Sequence, residues 1–164
     1  MGVAVVPFYD GPESLARARF SKLLEIGPAL NGVSMLPYSR VNSVMLDGAK
    51  HGRRKFQKGT VWEPPLGMEN LDPVLQEYSR MLEEYPETAG SAVLFQFDHP
   101  GKITSVPHDA TAFANRGNYR LMMAETQSTS PFLDSVILDY AKKIASMVEN
   151  WGKEKFRGET GAKI

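Results

Sequence analysis

The sequence contains no cysteine, which excludes disulfides, thiolate metal sites and cysteine nucleophiles together and fits a reducing compartment. Net charge is also missing. Nineteen basic side chains offset nineteen acidic ones, leaving no field to draw nucleic acid or an anionic membrane surface. No apolar run approaches the roughly 18 residues of a membrane helix, and the stretch 1–7 lacks a basic leader. The expectation is a cytoplasmic protein that binds neither nucleic acid nor membrane. Glycine-rich phosphate loops, a G-x-S-x-G elbow and an H-E-x-x-H helix are all absent. His51, His99 and His108 lie far apart, so spacing names neither a metal set nor a nucleophile–base pair, and no cofactor or metal is expected.

What is present describes an ordinary globular chain. Its 164 residues, 42% hydrophobic and 23% charged, suit one domain with a core of its own. That domain is expected over residues 1–152, with 153–164 as a flexible, polar, glycine-bearing tail. Val3–Phe8 is valine-rich and predicts a short buried strand. Asp10 and Glu13 are spaced as a capping box before a helix whose face carries Ala16, Phe20, Leu23 and Leu24 and which ends near Gly27. A second helix is expected from Pro37 to Gly48 and a strand over Arg53–Val61. A third helix is expected from Asp72-Pro73, with Leu75, Tyr78, Leu82 and Tyr85 on one stripe.

Ser91–Phe97 is the strongest strand pattern. Val93, Phe95 and Phe97 fall on one face, with Ala92, Leu94, Gln96 and Asp98 on the other. A loop over His99–Pro107 leads to extended pieces at Thr111–Asn115 and Asn118–Thr126, with Gly117 between them as a bulge or turn. The last helix starts at Ser130-Pro131, carries Leu133, Ile137, Tyr140, Ile144, Met147 and Trp151, and stops at Gly152. This order predicts an α+β fold: an antiparallel sheet with helices layered on one face, the other face forming a ligand or dimer surface.

Four stretches carry a resemblance. They are Val5-Val6-Pro7-Phe8-Tyr9-Asp10-Gly11-Pro12-Glu13, Met35-Leu36-Pro37-Tyr38-Ser39-Arg40-Val41-Asn42, Gly52-Arg53-Arg54-Lys55-Phe56-Gln57-Lys58-Gly59, and Thr111-Ala112-Phe113-Ala114-Asn115-Arg116 with Tyr119 after it. In order and spacing, over residues 3 to 150, they resemble the substrate-side domain of fungal FAD-linked oxidases of the berberine-bridge type. In that family a flavin domain comes first and holds the FAD; a chain that opens at this region is expected to lack it. Asn115 also stands where the family's motif has histidine. The resemblance implies a pocket for a hydrophobic small molecule over the sheet, and a homodimer as the cover for the sheet face left open.

Several residues can serve such a pocket, each with a plainer alternative. Glu125 is a candidate acid or base if desolvated, or a solvated strand-end carboxylate. His108, beside Asp109, is a candidate proton shuttle, or a loop histidine facing water. Gln96 and Asp98 share a strand face with Leu94 and can hydrogen-bond a ligand or simply face solvent. Tyr119, Leu121 and Met123 alternate with Glu125 along another strand. Met123, like Met122, is either core or an adaptable ligand wall. Arg116 either anchors a ligand oxygen or makes an internal ion pair.

The leading functional expectation is a cofactor-independent biosynthetic enzyme acting on a hydrophobic intermediate. It would direct a non-redox cyclisation, of Diels–Alder type, or an isomerisation, with Glu125, His108 and Asp98 as its acids and bases. The alternatives are a truncated relative or fragment of an FAD-linked oxidoreductase, and a non-catalytic small-molecule binder.

Overall fold

A computed structural model describes residues 2–45, 51–113 and 115–156. It divides into two compact units, Met1–Lys50 and His51–Ile164.

The first unit holds helix α1 (Glu13–Arg19), helix α2 (Ser21–Glu25) and a 3₁₀ stretch over Tyr38–Met45, and none of its described residues is buried. Val3–Phe8 does not form the expected strand; Val3, Val5 and Val6 are 87%, 60% and 58% exposed. A strand exists only where a neighbour takes up its backbone groups, and among its described residues the unit contains no other strand to pair with. The predicted capping box is absent too. Pro12, at φ −60°, caps α1, and its carbonyl accepts from the Leu15 and Ala16 amides. Proline's fixed φ starts the helix there without help from Asp10. Phe20 breaks the run into two helices, and Gly27, at φ 73°, ends the second in the left-handed region that glycine tolerates. The expected terminus of the next helix, Gly48, lies outside the described residues.

The second unit contains β1 (Arg54–Trp62), α3 (Met68–Glu84), β2 (Ala92–Phe95), the single turn α4 (Gly101–Thr104), β3 (Arg120–Ser128) and α5 (Asp134–Phe156). The three strands form an antiparallel sheet in the order β1-β3-β2, so β3 is central. The fold class is α+β, as the element order predicted. Along β3 the even-numbered residues Met122, Ala124, Thr126 and Ser128 are buried, and Leu121, Met123 and Glu125 face the other way. On the buried side, Trp62, Met122 and Ala124 pack with Val74 of α3 and Ala141, Ile144 and Val148 of α5, and Val93 and Phe95 close the edge. Both long helices therefore cover one face of the sheet.

Polar groups on that face are matched. Thr126 donates its hydroxyl to the Ile137 carbonyl at 2.6 Å, and the Gln127 amide donates to Ser91 Oγ at 3.0 Å. Arg54, at the start of β1, grips Asp134, at the start of α5, with two guanidinium nitrogens.

Four local expectations shift. α3 begins at Met68, capped by Gly67, so Pro73 lies inside it rather than at its first turn. Proline removes only its own amide donor, and at this exposed position water can satisfy the carbonyl left over. The inward stripe of α3 is Val74, Glu77 and Met81, rotated from the one predicted. α5 runs past Gly152 to Phe156, and the rest of the expected tail, residues 157–164, lies outside the described residues. Thr111–Asn115 forms no strand, and Ala114 within it is outside the described residues.

Candidate functional site

The sheet face turned away from α3 and α5 is built by strand parity. Opposite Leu121, Met123 and Glu125 of β3 stand Val61, Gly59 and Gln57 of β1, with Leu94 and Ala92 of β2 opposite Met123 and Glu125. The Gln96 amide donates to the Leu121 carbonyl at 2.9 Å and extends the ladder beyond β2. Val61, Leu94, Leu121 and Met123 thus make an apolar band. Gly59, with no side chain, leaves Met123 unshaded on one flank.

Glu125 closes one end of the band. It accepts from Gln57 Nε2 at 2.7 Å and lies 3.9 Å from Lys55 Nζ. At the other end, about 13 Å along β3 from Glu125, a depression of about 30 Å³ opens at Leu121. Gln96, Asp98, Tyr119 and Leu121, four of the candidates, line it. Ile103, Phe113, Asn115 and Gly117 complete the lining and were not among them. Phe113 and Asn115 belong to the Thr111–Arg116 motif, which is the signal that pointed here. Ile103 gave none, because the single turn of α4 is too short to show a helical period.

Asp98 lies 3.6 Å from Arg120 Nε, longer than a hydrogen bond, so its oxygens keep acceptor capacity. Arg116 lies behind the lining. It donates to the Ile103 carbonyl at 3.4 Å and to Thr111 Oγ1, sits 5.4 Å over the Phe113 ring, and leaves its buried Nε without a partner. Its present contacts brace the loop. His108 is exposed and outside the lining. Leu94, Met123 and Glu125 share the face but not the depression. The three candidate acids and bases, Glu125, His108 and Asp98, therefore do not meet in one place.

Gly117 makes the depression possible. A Cβ there would overlap the Tyr119 ring. Gly117→Ala is expected to swing Tyr119 out of the depression, and a crystal structure of the variant would show the ring displaced with the strand register kept.

No three His, Asp or Glu side chains cluster in metal-binding fashion among the described residues, and no helix there is long and apolar enough to cross a membrane.

The second unit is an α+β module: a three-stranded antiparallel sheet with α3 and α5 on one face. In sequence the chain is similar to an FAD-linked oxidoreductase of Dictyostelium discoideum, at 25% identity over 126 residues, or 75% of this chain. It spans only 26% of that relative's length. No family model matches the chain, and no solved structure does.

A flavin does not fit this depression. A small-ligand pocket occupies about 300–1,000 Å³, and the depression offers about 30 Å³. Its lining carries a carboxylate and no cation, the wrong charge for a diphosphate. No flavin step is derived from it.

Proposed function

We propose that this chain supplies the ligand-facing sheet of an FAD-linked-oxidase-like protein. Its open face would form one wall of a site for a hydrophobic small molecule. One observation carries the reading: an apolar band, Val61, Leu94, Leu121 and Met123, lies on the sheet face away from the helices and ends in a polar depression. The similarity to part of an FAD-linked oxidoreductase points the same way. Because the depression is far smaller than a drug-sized ligand, the proposed site needs an opposite wall from outside the second unit. Between the functional expectations, the separation of Glu125, Asp98 and His108 favours the truncated-relative reading over a self-contained cyclase or isomerase.

Two neighbouring methionines provide the test. Met122 is 2% exposed in the core, and Met123 points to the open face. With methyl-labelled methionine, titration with 4-methylanisole is expected to shift the Met123 resonance saturably and to leave Met122 nearly still. Saturable shifts confined to the helical side, or none at all, would overturn the reading. A flavin spectrum retained through purification would show that the chain holds the cofactor itself.

A further inference from the structure

The depression at the end of the open face has a donor and acceptor balance that distinguishes between ligands. The side chains of Gln96, Asn115 and Tyr119 make no hydrogen bond among the described residues, and all three line it. They offer two carboxamides and a phenol, groups that both donate and accept. Asp98 adds a carboxylate whose nearest cation is 3.6 Å away. The two neighbouring guanidiniums do not line the space, and each makes contacts elsewhere, Arg116 through its two terminal nitrogens but not its Nε. Arg120 sits beside Asp98 and donates to the Tyr119 carbonyl at 3.1 Å, while Arg116 braces Ile103 and Thr111. The volume, about 30 Å³, suits one water-sized group and not a ring.

We infer that this depression selects the hydroxyl end of a neutral ligand, an alcohol or phenol, over a carboxylate, with Asp98 as the specificity-determining residue. The inference rests on the reading of the open face as a ligand wall. A hydroxyl donates its proton to Asp98 and accepts from Gln96 or Asn115, while the apolar body of the same molecule lies along Leu121 towards Met123. A carboxylate brings two acceptor oxygens and a negative charge against Asp98, with no free cation in the lining to offset it.

The experiment compares benzyl alcohol with benzoate at neutral pH on isotope-labelled protein. It follows the side-chain amide resonances of Gln96 and Asn115 together with the Met123 methyl. Benzyl alcohol is expected to shift both amides saturably, and benzoate to bind about tenfold more weakly. Asp98→Asn, which keeps the shape, is expected to narrow that ratio towards one. Asn115→Ala, in the loop, is expected to weaken benzyl alcohol binding without closing the gap. Equal or tighter binding of benzoate to the unaltered protein, or an unchanged ratio in Asp98→Asn, overturns the selectivity. If Met123 responds to the probes while Gln96 and Asn115 do not, this inference fails and the ligand wall stands. If none of the three responds to either probe, both fail.

Discussion

Trp62→Ala is expected to lower the free energy of unfolding by about 3–5 kcal/mol. Trp62 ends β1 and is 1% exposed, yet its ring reaches across the sheet edge. The ring lies edge-on to Phe95 and Phe97, with centroids 5.9 and 5.0 Å away, and its indole N–H donates to the Leu121 carbonyl at 3.2 Å. Removing it opens a cavity among Met122, Phe95 and the helices, while the Leu121 carbonyl keeps the Gln96 amide as a donor, so the cost is the transfer loss plus the cavity term. Val61, one residue earlier, faces the opposite side, and Val61→Ala should cost under about 1.5 kcal/mol. Urea denaturation followed by far-UV circular dichroism compares the two. Equal losses would mean that the sheet faces are assigned the wrong way round.

The second large effect is electrostatic. Glu77 of α3 is 8% exposed and lies between two cations, Arg80 at 2.6 Å and Lys143 of α5 at 2.8 Å. Burial pushes its carboxyl pKa up, but hydrogen bonds and charge from Lys143 and Arg80 outweigh that, and the net shift is downward. A carboxylate whose pKa falls on folding stabilises the native state above its unfolded pKa, about 4.3. That contribution disappears as pH drops through the folded value. Stability is therefore expected to show no Glu77-linked change between about pH 6 and 8 and to fall below about pH 4.3.

Glu77→Gln should cost about 1–2 kcal/mol at neutral pH and flatten this acid limb. The lower part of the usual range applies because water can solvate the two cations, which are half exposed. Denaturation midpoints across a pH series for both proteins give the comparison, and parallel acid limbs would refute the assignment. Nearby, burial pushes the Tyr140 hydroxyl up to about 12, aided by its hydrogen bond to Glu84, so it stays protonated and keeps donating across the α3–α5 contact throughout that range.

Much of the second unit was legible because its periods are clean. Val93 and Phe95 against Leu94 is a two-residue alternation, and parity alone separated the two faces of β2. Leu121, Met123 and Glu125 alternate along β3 in the same way, but the alternation left Met122 and Met123 equally fit for core or ligand wall, and only the packing of α3 and α5 chose Met122 for the core. The face of α3 was less legible: Leu75, Tyr78 and Leu82 form as good a helical stripe as Val74, Glu77 and Met81. Only packing against α5 selected the second. A buried glutamate is also invisible to a hydrophobicity pattern, because Lys143, which makes it tolerable, arrives from 66 positions further along the chain.

The candidate site divides along the same line. Gln96, Asp98, Tyr119 and Leu121 were legible as polar or apolar positions on alternating strands. Ile103, Phe113 and Asn115 join them only because the loop after β2 folds back over the end of β3.

What the sequence determined by itself was the absence of cysteine chemistry, the α+β order of elements and the alternation along β2 and β3. Each follows from side-chain chemistry or from backbone periods acting over a few residues. The tertiary structure alone decided that β3 lies between β1 and β2, and that Val3–Phe8 forms no strand. It also decided that Glu125 and Asp98 stand at opposite ends of the open face. Strand pairing, charge pairing and the closing of a loop over a sheet join residues tens of positions apart, and no local pattern carries that information.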